Sequence, residues 1–588
     1  MKNRSDSPKR CCFGSSKAIC VSILLVVWFL TTADLGGQII PEKAPLTAER
    51  LKTMRKKAAH RKRRIIQNVD GNDATFSPKK EPFEQGLLNV YMSGLENSQV
   101  DSIFYCTHWC FGTVIHRSKI ATTLTSKDAH PSLKNSCVQD LIDMGTDPLE
   151  IVGGFCRRHD IEFFCSFRMN DIHDGATDGN GNLIYPHLLS DVKRKHAEYL
   201  LGEIGERLPG RPYGSRAACA VDYGVAEVRD YMFRMIEEVC ENYDVDGIEL
   251  DFFRHAIFFK RHAREGMVGQ EEHDQMTSLI LRVREMLDRE GLKRGKPFLL
   301  SVRVPDSVGF CRDIGLDIER WLQEDLADLL MTSGYFRLAP WSDSVALGHK
   351  YNVPVYANLS EAREMEKGYK RSWKRYTAEA FRARALRAWS SGADGIYTYN
   401  IFYFFRPTHP IWSEMGDPAT LAKKDKVYFV NTLRTDMIDG FLPGAEKRYR
   451  KLPILHHRQP LKLSARETKD ISLVVDDDVM WGKDRGIVPE IKLHLMMDDS
   501  AGTAMGDLGA SLSVAMNGQA LTDWQAKEEV KYGAANKGEP FTEEYIEYAV
   551  PPSLVKKGEN QFEFIARASS KAELRVRDLQ LWILYKQN

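Results

Sequence analysis

The chain lacks an excess of charge of either sign. Its 588 residues include 82 Lys and Arg against 81 Asp and Glu, a formal net charge of +1 at pH 7. Proteins that hold nucleic acid by its phosphates carry a strong positive bias, so the composition predicts no nucleic acid partner. Gly-rich phosphate motifs of the forms G-x-G-x-x-G and G-x4-G-K-[ST] are also missing, which argues against a nucleotide ligand.

Metal-ligand patterns are missing as well. Cys106 and Cys110 lie in CTHWC, but no second pair follows at the spacing of a zinc site. The loop DGATDGNGN, Asp174 to Asn182, departs from calcium-loop spacing and lacks a closing glutamate. Other cysteines, such as Cys165 in EFFCSF, lie in apolar runs, where cysteine behaves as a small core residue. We therefore predict neither a metal nor a cofactor.

The N-terminus has the order of an export signal. An apolar segment of about fourteen residues follows five Lys and Arg residues, and it is shorter than the roughly twenty needed to span a bilayer. Residues 1–35 are therefore predicted to be a cleaved signal peptide, or else an uncleaved signal anchor that tethers the chain to a membrane. The predicted location is periplasmic or extracellular.

A basic run comes next. Residues 50–64 carry nine Lys or Arg, and residues 36–95 are predicted to be a solvated basic stalk or linker. The alternative is contact with anionic lipid or polysaccharide.

Residues 96–450 alternate short β-type runs with amphipathic helices. The predicted strands are residues 102–109, 161–171, 217–223, 245–252, 297–305, 328–336, 353–360 and 393–400. Their number and order predict an α/β fold, a (β/α)8 TIM barrel that forms the catalytic domain. In this fold the chemistry lies at the carboxyl ends of the strands.

Polar and aromatic residues follow nearly every predicted strand. Such groups bind hydroxyls and stack on sugar rings, so they are predicted to bind a carbohydrate substrate. The set is His108, Trp109, Arg168, Asn170, Asp171, His173, Asp222, Arg254, Arg303, Asp306, Tyr335, Asn358, Tyr399 and Asn400.

The character of the sequence changes after residue 455. Short alternating runs lie between turn signals such as Asn517-Gly518 and Lys557-Gly558. Residues 455–588 are therefore predicted to form an all-β, jelly-roll-like sandwich. Structural support of the barrel and binding of sugar are both open roles for this domain.

The most informative stretch is YDVDGIELDFFRH, residues 243–255. Glu249 and Asp251 have the same parity in the predicted strand and so share one face. Two buried carboxylates are costly unless they are hydrogen-bonded or used, and glycoside cleavage needs two carboxyl groups. Asp251 is the predicted primary catalytic residue. Glu361 is the leading proton donor, with Glu249 and Asp306 behind it.

A structural alternative stays open for this carboxylate pair. Glu249 and Asp251 would then only form a buried ion network with the basic residues at neighbouring strand ends. Those basic residues are Arg168, Arg254 and Arg303.

The motif VDGIELDFFR resembles the fourth strand of glycosyl-hydrolase-like family 10 barrels, which carry D-G-I-x-x-D there. It is also similar to strands of family 18 chitinases and of retaining α-galactosidase-type barrels. Against the chitinase pattern D-G-x-D-x-D-x-E, the chain has Phe253 in place of the proton-donating glutamate. In galactosidase-like barrels the aspartate that closes strand four is the nucleophile, and Asp251 matches it. Glu361 stands just past strand seven, where a further group of barrels carries its nucleophile.

The resemblance implies an exported glycoside hydrolase that cleaves O-glycosidic bonds of a poly- or oligosaccharide. The alternative is a catalytically inactive barrel that binds glycan. A lyase or aldolase would need a Schiff-base lysine or metal ligands at a strand end, and no lysine occupies any of the predicted strand ends.

Overall fold

A computed structural model describes residues 46–76, 82–125, 130–209, 214–360, 377–399, 401, 405–430, 435–455, 459–531, 541–568, 570 and 572–585. The predicted export signal lies outside these residues. Within them, no helix combines the length and the apolar character that a membrane span requires.

Eight parallel strands close into a barrel, as the sequence predicts. They are β1 Ile65–Val69, β2 Val100–Cys110, β3 Glu162–Arg168, β4 Gly247–Asp251, β5 Leu299–Val304, β6 Leu329–Thr332, β7 Val355–Asn358 and β8 Gly395–Tyr399. Each pairs with the next, and β1 pairs with both β8 and β2, which closes the barrel. Two short strands, Thr113–Val114 and Thr122–Thr123, extend the sheet beside β2.

Helices follow or precede most strands, and several begin at side-chain caps. Asp147 accepts from the backbone N–H of Glu150 at 3.0 Å, and Thr377 accepts from that of Ala380 at 3.3 Å. The helices are α1 Ala48–Ala59, α2 Asp73–Phe76, α3 Phe83–Tyr91, α4 Val138–Asp143, α5 Pro148–Arg158, α6 Asp191–Lys195, α7 Ala226–Asn242, α8 Lys260–Glu265, α9 Gln270–Arg294, α10 Val308–Asp313, α11 Ile318–Gln323, α12 Trp341–Lys350, α13 Ala378–Ser390, α14 Pro418–Leu421, α15 Thr435–Phe441, α16 Ala445–Tyr449 and α17 Met505–Ala510.

Antiparallel strands make up the C-terminal region, as predicted. They are β9 Lys426–Phe429, β10 Leu461–Leu463, β11 Thr468–Val475, β12 Glu490–Asp498, β13 Leu512–Met516, β14 Gln519–Leu521, β15 Trp524–Lys531, β16 Phe541–Ala549, β17 Gly558–Ala566 and β18 Leu574–Leu584. One sheet has the order β9-β18-β12-β16-β15 with β10 also on β18, and the other has the order β11-β17-β13-β14. Their apolar faces share one core. Because β9 precedes residue 455, this sheet begins earlier than the predicted boundary.

Two predictions about the N-terminal half of the barrel are wrong. Residues 217–223 are not a strand, because the small apolar side chains of this run pack in a loop that begins with the 3-10 helix Gly214–Cys219. The first strand is instead Ile65–Val69, which lies in the range that the sequence predicts to be a basic stalk. Arg63, which belongs to the basic run, is buried here. It donates to Glu162 through Nε and Nη2 at 2.5 and 2.7 Å. The strand that carries Glu249 and Asp251 is nevertheless the fourth, as predicted.

Candidate active site

Three neighbouring strands place a carboxylate beside guanidiniums at the carboxyl end of the barrel. Asp251 ends β4, and its register partners are Arg168 on β3 and Arg303 on β5. Nε of Arg303 donates to Oδ1 of Asp251 at 3.0 Å, and Nη2 of Arg303 donates to Oδ2. The backbone N–H groups of Phe253 and Arg254 donate to Oδ1 at 2.9 and 3.0 Å. Both oxygens of this buried carboxylate are therefore occupied.

Glu249 lies two residues earlier on the same face of β4. Its carboxyl group accepts hydrogen bonds from Nδ2 of Asn68 at 3.0 Å, Oγ of Ser166 at 2.5 Å and the hydroxyl of Tyr397 at 2.7 Å. Burial raises the pKa of Glu249 to about 7, and the negative charge of Asp251 acts in the same direction. Glu249 is therefore part of a filled layer inside the barrel.

A second network of charges joins the ends of β1, β3 and β4. Asp171 accepts from Nη1 of Arg168 at 3.1 Å and from Nε of Arg254 at 3.3 Å. Nη2 of Arg168 also donates to Asp70, which directly follows β1. Burial opposes ionisation of both carboxyl groups, but their cationic neighbours lower the pKa of Asp70 and hold that of Asp171 well below its usual range. Both are carboxylates at neutral pH.

His173 is oriented by this network. Its Nδ1 lies 2.5 Å from Oδ1 of Asp171, and its Nε2 lies 3.3 Å from Nη2 of Arg254. Because a guanidinium only donates, these partners assign the proton to Nδ1 and leave Nε2 as the acceptor. Burial lowers the pKa of His173, so the imidazole is neutral at pH 7. A carboxylate that orients a neutral imidazole is an arrangement suited to proton transfer.

A cavity of about 300 Å³ opens beside these groups. It is lined by Asp70, Asn72, Trp109, Cys110, Arg168, His173, Tyr185, His187, Leu188 and Arg254. Charged groups, imidazoles and aromatic rings thus meet at the mouth of the barrel, a combination that suits a ligand with hydroxyls and ring faces. Nη1 of Arg254 is buried and has no hydrogen-bond partner among the described residues, so it remains a donor for a ligand.

Two tyrosines connect the Asp251 ion pair with this mouth cavity. The hydroxyls of Tyr335 and Tyr399 lie 3.0 Å apart. The guanidinium of Arg303 lies 3.9 Å from the ring centre of Tyr399, and that of Arg254 lies 5.4 Å from the ring centre of Tyr335. Tyr335, Tyr399 and Arg303 are themselves buried. They are not among the residues that line the mouth cavity, and the two tyrosines contact the arginines that hold Asp251 and line the cavity.

Five other predicted binding residues make contacts within the protein, four of them with backbone groups and one with an aromatic ring. Asn170 donates to two loop carbonyls at 2.8 and 2.6 Å. Asp222 and Asp306 accept from loop N–H groups at 2.9 Å, and burial raises the pKa of Asp306 to about 6. Asn358 donates to a backbone carbonyl at 3.0 Å, and the buried ring of His108 stacks on an aromatic ring at 3.8 Å.

Sequence reasoning missed part of the mouth cavity. Asp70 is not among the predicted site residues because the sequence predicts its strand to be part of the stalk. The run IIQNVD followed by Gly and Asn nevertheless has the pattern of a buried strand and a turn. Tyr185 and His187 lie in a long loop after β3, where no periodic signal marks them. Glu361 and Asn400, which were predicted, lie outside the described residues.

One group of side chains has the composition of a metal site. Ligand atoms of Asp171, His173 and His255 lie within 4.8 Å of one another. However, Asp171 already contacts two guanidiniums, and Nδ1 of His255 accepts from the backbone N–H of Ile172 at 3.3 Å. A divalent cation would meet these positive charges, so the donor set does not favour a metal.

Known proteins resemble the chain only in structure. No protein-family profile matches it, and no curated protein sequence matches it either. The GH36 α-galactosidase AgaA of Geobacillus stearothermophilus aligns at 13% identity over 84% of this chain and 56% of its own, with a TM-score of 0.33. The glycoside hydrolase domain of PgaB (BpsB) from Bordetella bronchiseptica aligns at 11% identity over 61% and 99%, with a TM-score of 0.39.

A third similar structure is the chitinase ChiW of Paenibacillus sp. str. FPU-7. It aligns at 9% identity over 88% of this chain and 56% of its own, with a TM-score of 0.36. The chain thus spans little more than half of the α-galactosidase and of the chitinase. At such identities and scores these likenesses do not assign an activity, and family 10 membership stays a prediction.

Proposed function

We propose that the protein is a glycoside hydrolase that cleaves O-glycosidic bonds of an oligo- or polysaccharide in the mouth cavity. The observation that carries the proposal is the lining of this cavity. Asp70 lies there beside Arg168 and Arg254, and the rings of Trp109 and Tyr185 complete the wall. Sugar sites combine such polar groups, which fix the hydroxyls, with aromatic faces, which cover the ring.

Asp70 is the carboxylate that we propose to face the substrate. Glycoside cleavage develops positive charge on the sugar ring, and an ionised carboxylate stabilises that charge or attacks the anomeric carbon. Arg168 and Arg254 lower the pKa of Asp70, so it is ionised at neutral pH. Asp251, the carboxylate that the sequence favours, is bound on both oxygens and is not among the residues that line the mouth cavity. Its contact with the backbone of Arg254 makes it a positioning residue for the mouth cavity.

The proton transfers need a second group. We propose that His173, which lines the mouth cavity as a neutral imidazole held by Asp171, activates the attacking water. We propose that Glu361, the proton donor predicted from the sequence, protonates the leaving group. The mechanism therefore combines an anion, an oriented base and a separate acid.

The test is hydrolysis of aryl-glycosides and of algal, plant and bacterial polysaccharides by the full chain. Asp70→Asn should lower kcat by roughly 100-fold or more with little change in substrate affinity. Asp484→Asn, an exposed carboxylate in the C-terminal region, serves as the control. If Asp70→Asn keeps full activity and Asp251→Asn loses it, Asp251 is the catalytic carboxylate instead. Glu361→Gln tests the proposed proton donor.

A specific observation favours a second candidate, a glycan-binding barrel without catalysis. The buried ring of Phe253 stands where the chitinase pattern has its proton-donating glutamate. Arg303 and backbone N–H groups also occupy both oxygens of Asp251. Glycan binding without cleavage of any substrate in the panel would establish this candidate.

We also propose that the chain is exported, because its first residues have the order of a signal sequence. N-terminal sequencing of the protein recovered from an exporting host tests this. A new N-terminus near residue 35 indicates cleavage, and an intact first segment in the membrane fraction indicates a signal anchor.

A further inference from the structure

The helix α1 lies across the end of the barrel opposite the mouth cavity. Nη1 of Arg55 donates to Asp328, which directly precedes β6, at 2.9 Å. Nε2 of His60 lies 3.2 Å from the carbonyl oxygen of Asn352, shortly before β7. These partners lie at the amino ends of their strands, whereas the mouth cavity lies at the carboxyl ends. Residues 48–62 and the neighbouring turn 158–160 are called the basal face below.

Buried contacts of α1 fix which of its side chains face solvent. Leu51, Arg55 and Ala59 recur every four residues and are buried. Arg50 and Lys57 are seven residues apart, so they share the opposite, exposed side of the helix. Because the buried stripe holds the helix in one orientation, these cations stay on the outside of the protein.

The basal face has an excess of positive charge. Asp325 is shared by Lys52 and Lys56, so one carboxylate serves two lysines there. Other exposed cations of this face have no carboxylate within ion-pair distance among the described residues, and they are Arg50, Lys57, Arg61, Lys62 and Arg158. Exposed carboxylates of the same face that likewise lack an ion pair within the described part of the chain are Glu49 and Asp160. Such a surface attracts a polyanion.

We propose that the basal face binds the surface of a lipid bilayer that contains anionic phospholipid. The proposal goes beyond the proposed function and does not depend on hydrolysis, because the mouth cavity lies at the other end of the barrel. Binding in this orientation turns the mouth cavity away from the bilayer.

The composition of α1 favours a bilayer over an acidic polysaccharide. A polysaccharide site combines polar groups with aromatic faces, and α1 contains no aromatic residue. Lysines and arginines near an anionic bilayer contribute attraction one by one, without a shaped pocket. Because the apolar stripe of α1 is buried in the protein, the contact is electrostatic and does not insert the helix into lipid.

The place of α1 in the chain also favours a bilayer. The apolar segment of the predicted export signal ends near residue 31, and α1 begins at Ala48. In a chain that keeps this segment in a membrane, residues 32–47 can span at most about 55 Å. Such a connection gives the basal face a high effective concentration near the lipid. A chain whose signal is cleaved would bind through the basal face alone.

Acetylation of lysines in the full chain on vesicles, followed by mass spectrometry, tests the proposal. Lys57 and Lys62 should react at least about threefold more slowly on vesicles of phosphatidylglycerol and phosphatidylcholine in equal parts than on phosphatidylcholine alone. Comparison of the two vesicles removes any contribution of the apolar segment, which inserts into both. Salt raised from about 50 to about 300 mM should remove the protection, because it shortens the range of the attraction.

Lys119 and Lys195 are the matched controls within the same experiment. Both are exposed and lack an ion pair among the described residues, but they follow β2 and β3 at the mouth end of the barrel. They should react equally on the two vesicles. Equal protection of these lysines and of Lys57 would contradict the proposed orientation.

A double variant tests the charge of the basal face. Arg50→Gln combined with Lys57→Gln should reduce the protection of Lys62 on anionic vesicles at least about twofold. Lys119→Gln combined with Lys195→Gln should leave the protection of Lys62 unchanged. Both substituted pairs are exposed, and thermal unfolding of each variant identifies one that fails to fold.

Three further outcomes would overturn the proposal. These are equal reaction of Lys57 on the two vesicles, protection of Lys62 that the Arg50 and Lys57 substitutions leave intact, and protection of Lys57 by dissolved polygalacturonate as strong as that by anionic vesicles. The last result would assign the basal face to acidic polysaccharide. Protection in a chain that cleaves no glycan would support the basal face and contradict the proposed function, so the two proposals fail separately.

Discussion

Arg303 and Asp251, on adjacent strands of the barrel, form a bidentate salt bridge. Nε and Nη2 of the guanidinium each donate to a different carboxylate oxygen, and both side chains are buried. The pair follows from the register of β4 and β5, in which the two residues are directly opposite. This contact is the buried ion pair that the sequence offered as the structural alternative to catalysis by Asp251.

Arg303→Met should destabilise the fold by about 3–5 kcal/mol, because it leaves the Asp251 carboxylate buried without its partner. The free energy of unfolding from urea titration measures this. Asp251→Asn combined with Arg303→Met should recover part of the loss, since no charge then remains unpaired.

An exposed ion pair provides the comparison for this prediction. Nη1 of Arg320 lies 2.8 Å from Asp274, and the two side chains are 38% and 57% exposed. Arg320→Met should cost less than about 1 kcal/mol. Equal losses for Arg303→Met and Arg320→Met would mean that the buried pair does not stabilise the fold.

The stability of Glu249→Gln relative to the wild type should increase as the pH rises. Burial raises the pKa of Glu249 to about 7, above the value of about 4.3 expected in the unfolded chain. The folded state therefore holds the proton more tightly, and its stability falls between about pH 4 and pH 7 as this proton is lost. A glutamine has no such proton, so the stability difference between variant and wild type should shift toward the variant by up to about 3 kcal/mol.

Urea unfolding of the variant and the wild type at pH 5 and pH 8 measures this shift. Subtracting one free energy of unfolding from the other at each pH removes the contribution of the titrating groups that the two proteins share. A difference that stays constant over this interval would show that Glu249 is already ionised in the barrel at pH 5.

Gly247→Ala should destabilise the barrel by about 1–3 kcal/mol. A Cβ at Gly247 on β4 would lie 2.3 Å from the ring of Phe164 and 2.6 Å from the carbonyl oxygen of Leu299. The carbonyl belongs to the neighbouring strand, so it cannot move without loss of sheet pairing. This requirement explains the glycine in the motif VDGIELDF.

Gly506→Ala is the matched control for this substitution. Gly506 lies in α17, and no atom lies within 4 Å of an added Cβ. Alanine should leave stability unchanged or raise it by up to about 1 kcal/mol, because it restricts the unfolded chain. Thermal unfolding would contradict the steric argument if the two alanine variants behaved alike.

Seven of the eight predicted strands correspond to barrel strands, because each is a buried run bounded by turns. The eighth, residues 217–223, was wrong because a short run of small apolar residues has no period that separates a strand from a packed loop. β1 was missed because Arg63 and Arg64 look solvated in the sequence. Their partners, Glu162 and Asp101, are distant along the chain.

The candidate site was predictable only in part for the same reason. The alternation in β4 correctly indicated that Glu249 and Asp251 share a face. It does not indicate which groups meet them, since Arg303 and Tyr397 come from other strands. The mouth cavity combines the end of β1 with a loop after β3, and Asp70 becomes visible as a candidate only once β1 is known.

The position of β1 makes a prediction about where the folded unit begins. Residues 46–588 should fold like the full chain, whereas residues 70–588 should not fold cooperatively. The shorter chain lacks Ile65–Val69, which pairs with both β8 and β2, so the barrel would remain open along two strand edges. It also lacks Arg63, which leaves Glu162 buried without its main partner.

Size-exclusion chromatography and thermal unfolding followed by circular dichroism compare the two truncated chains. Arg63→Met in the full chain separates the two causes, because it removes the ion pair, at a cost of about 3–5 kcal/mol, but leaves β1 in place. A cooperative transition of residues 70–588 at the temperature of the full chain would contradict the closure of the barrel by β1. Failure of residues 46–588 alone would instead indicate that residues before 46 contribute to the fold.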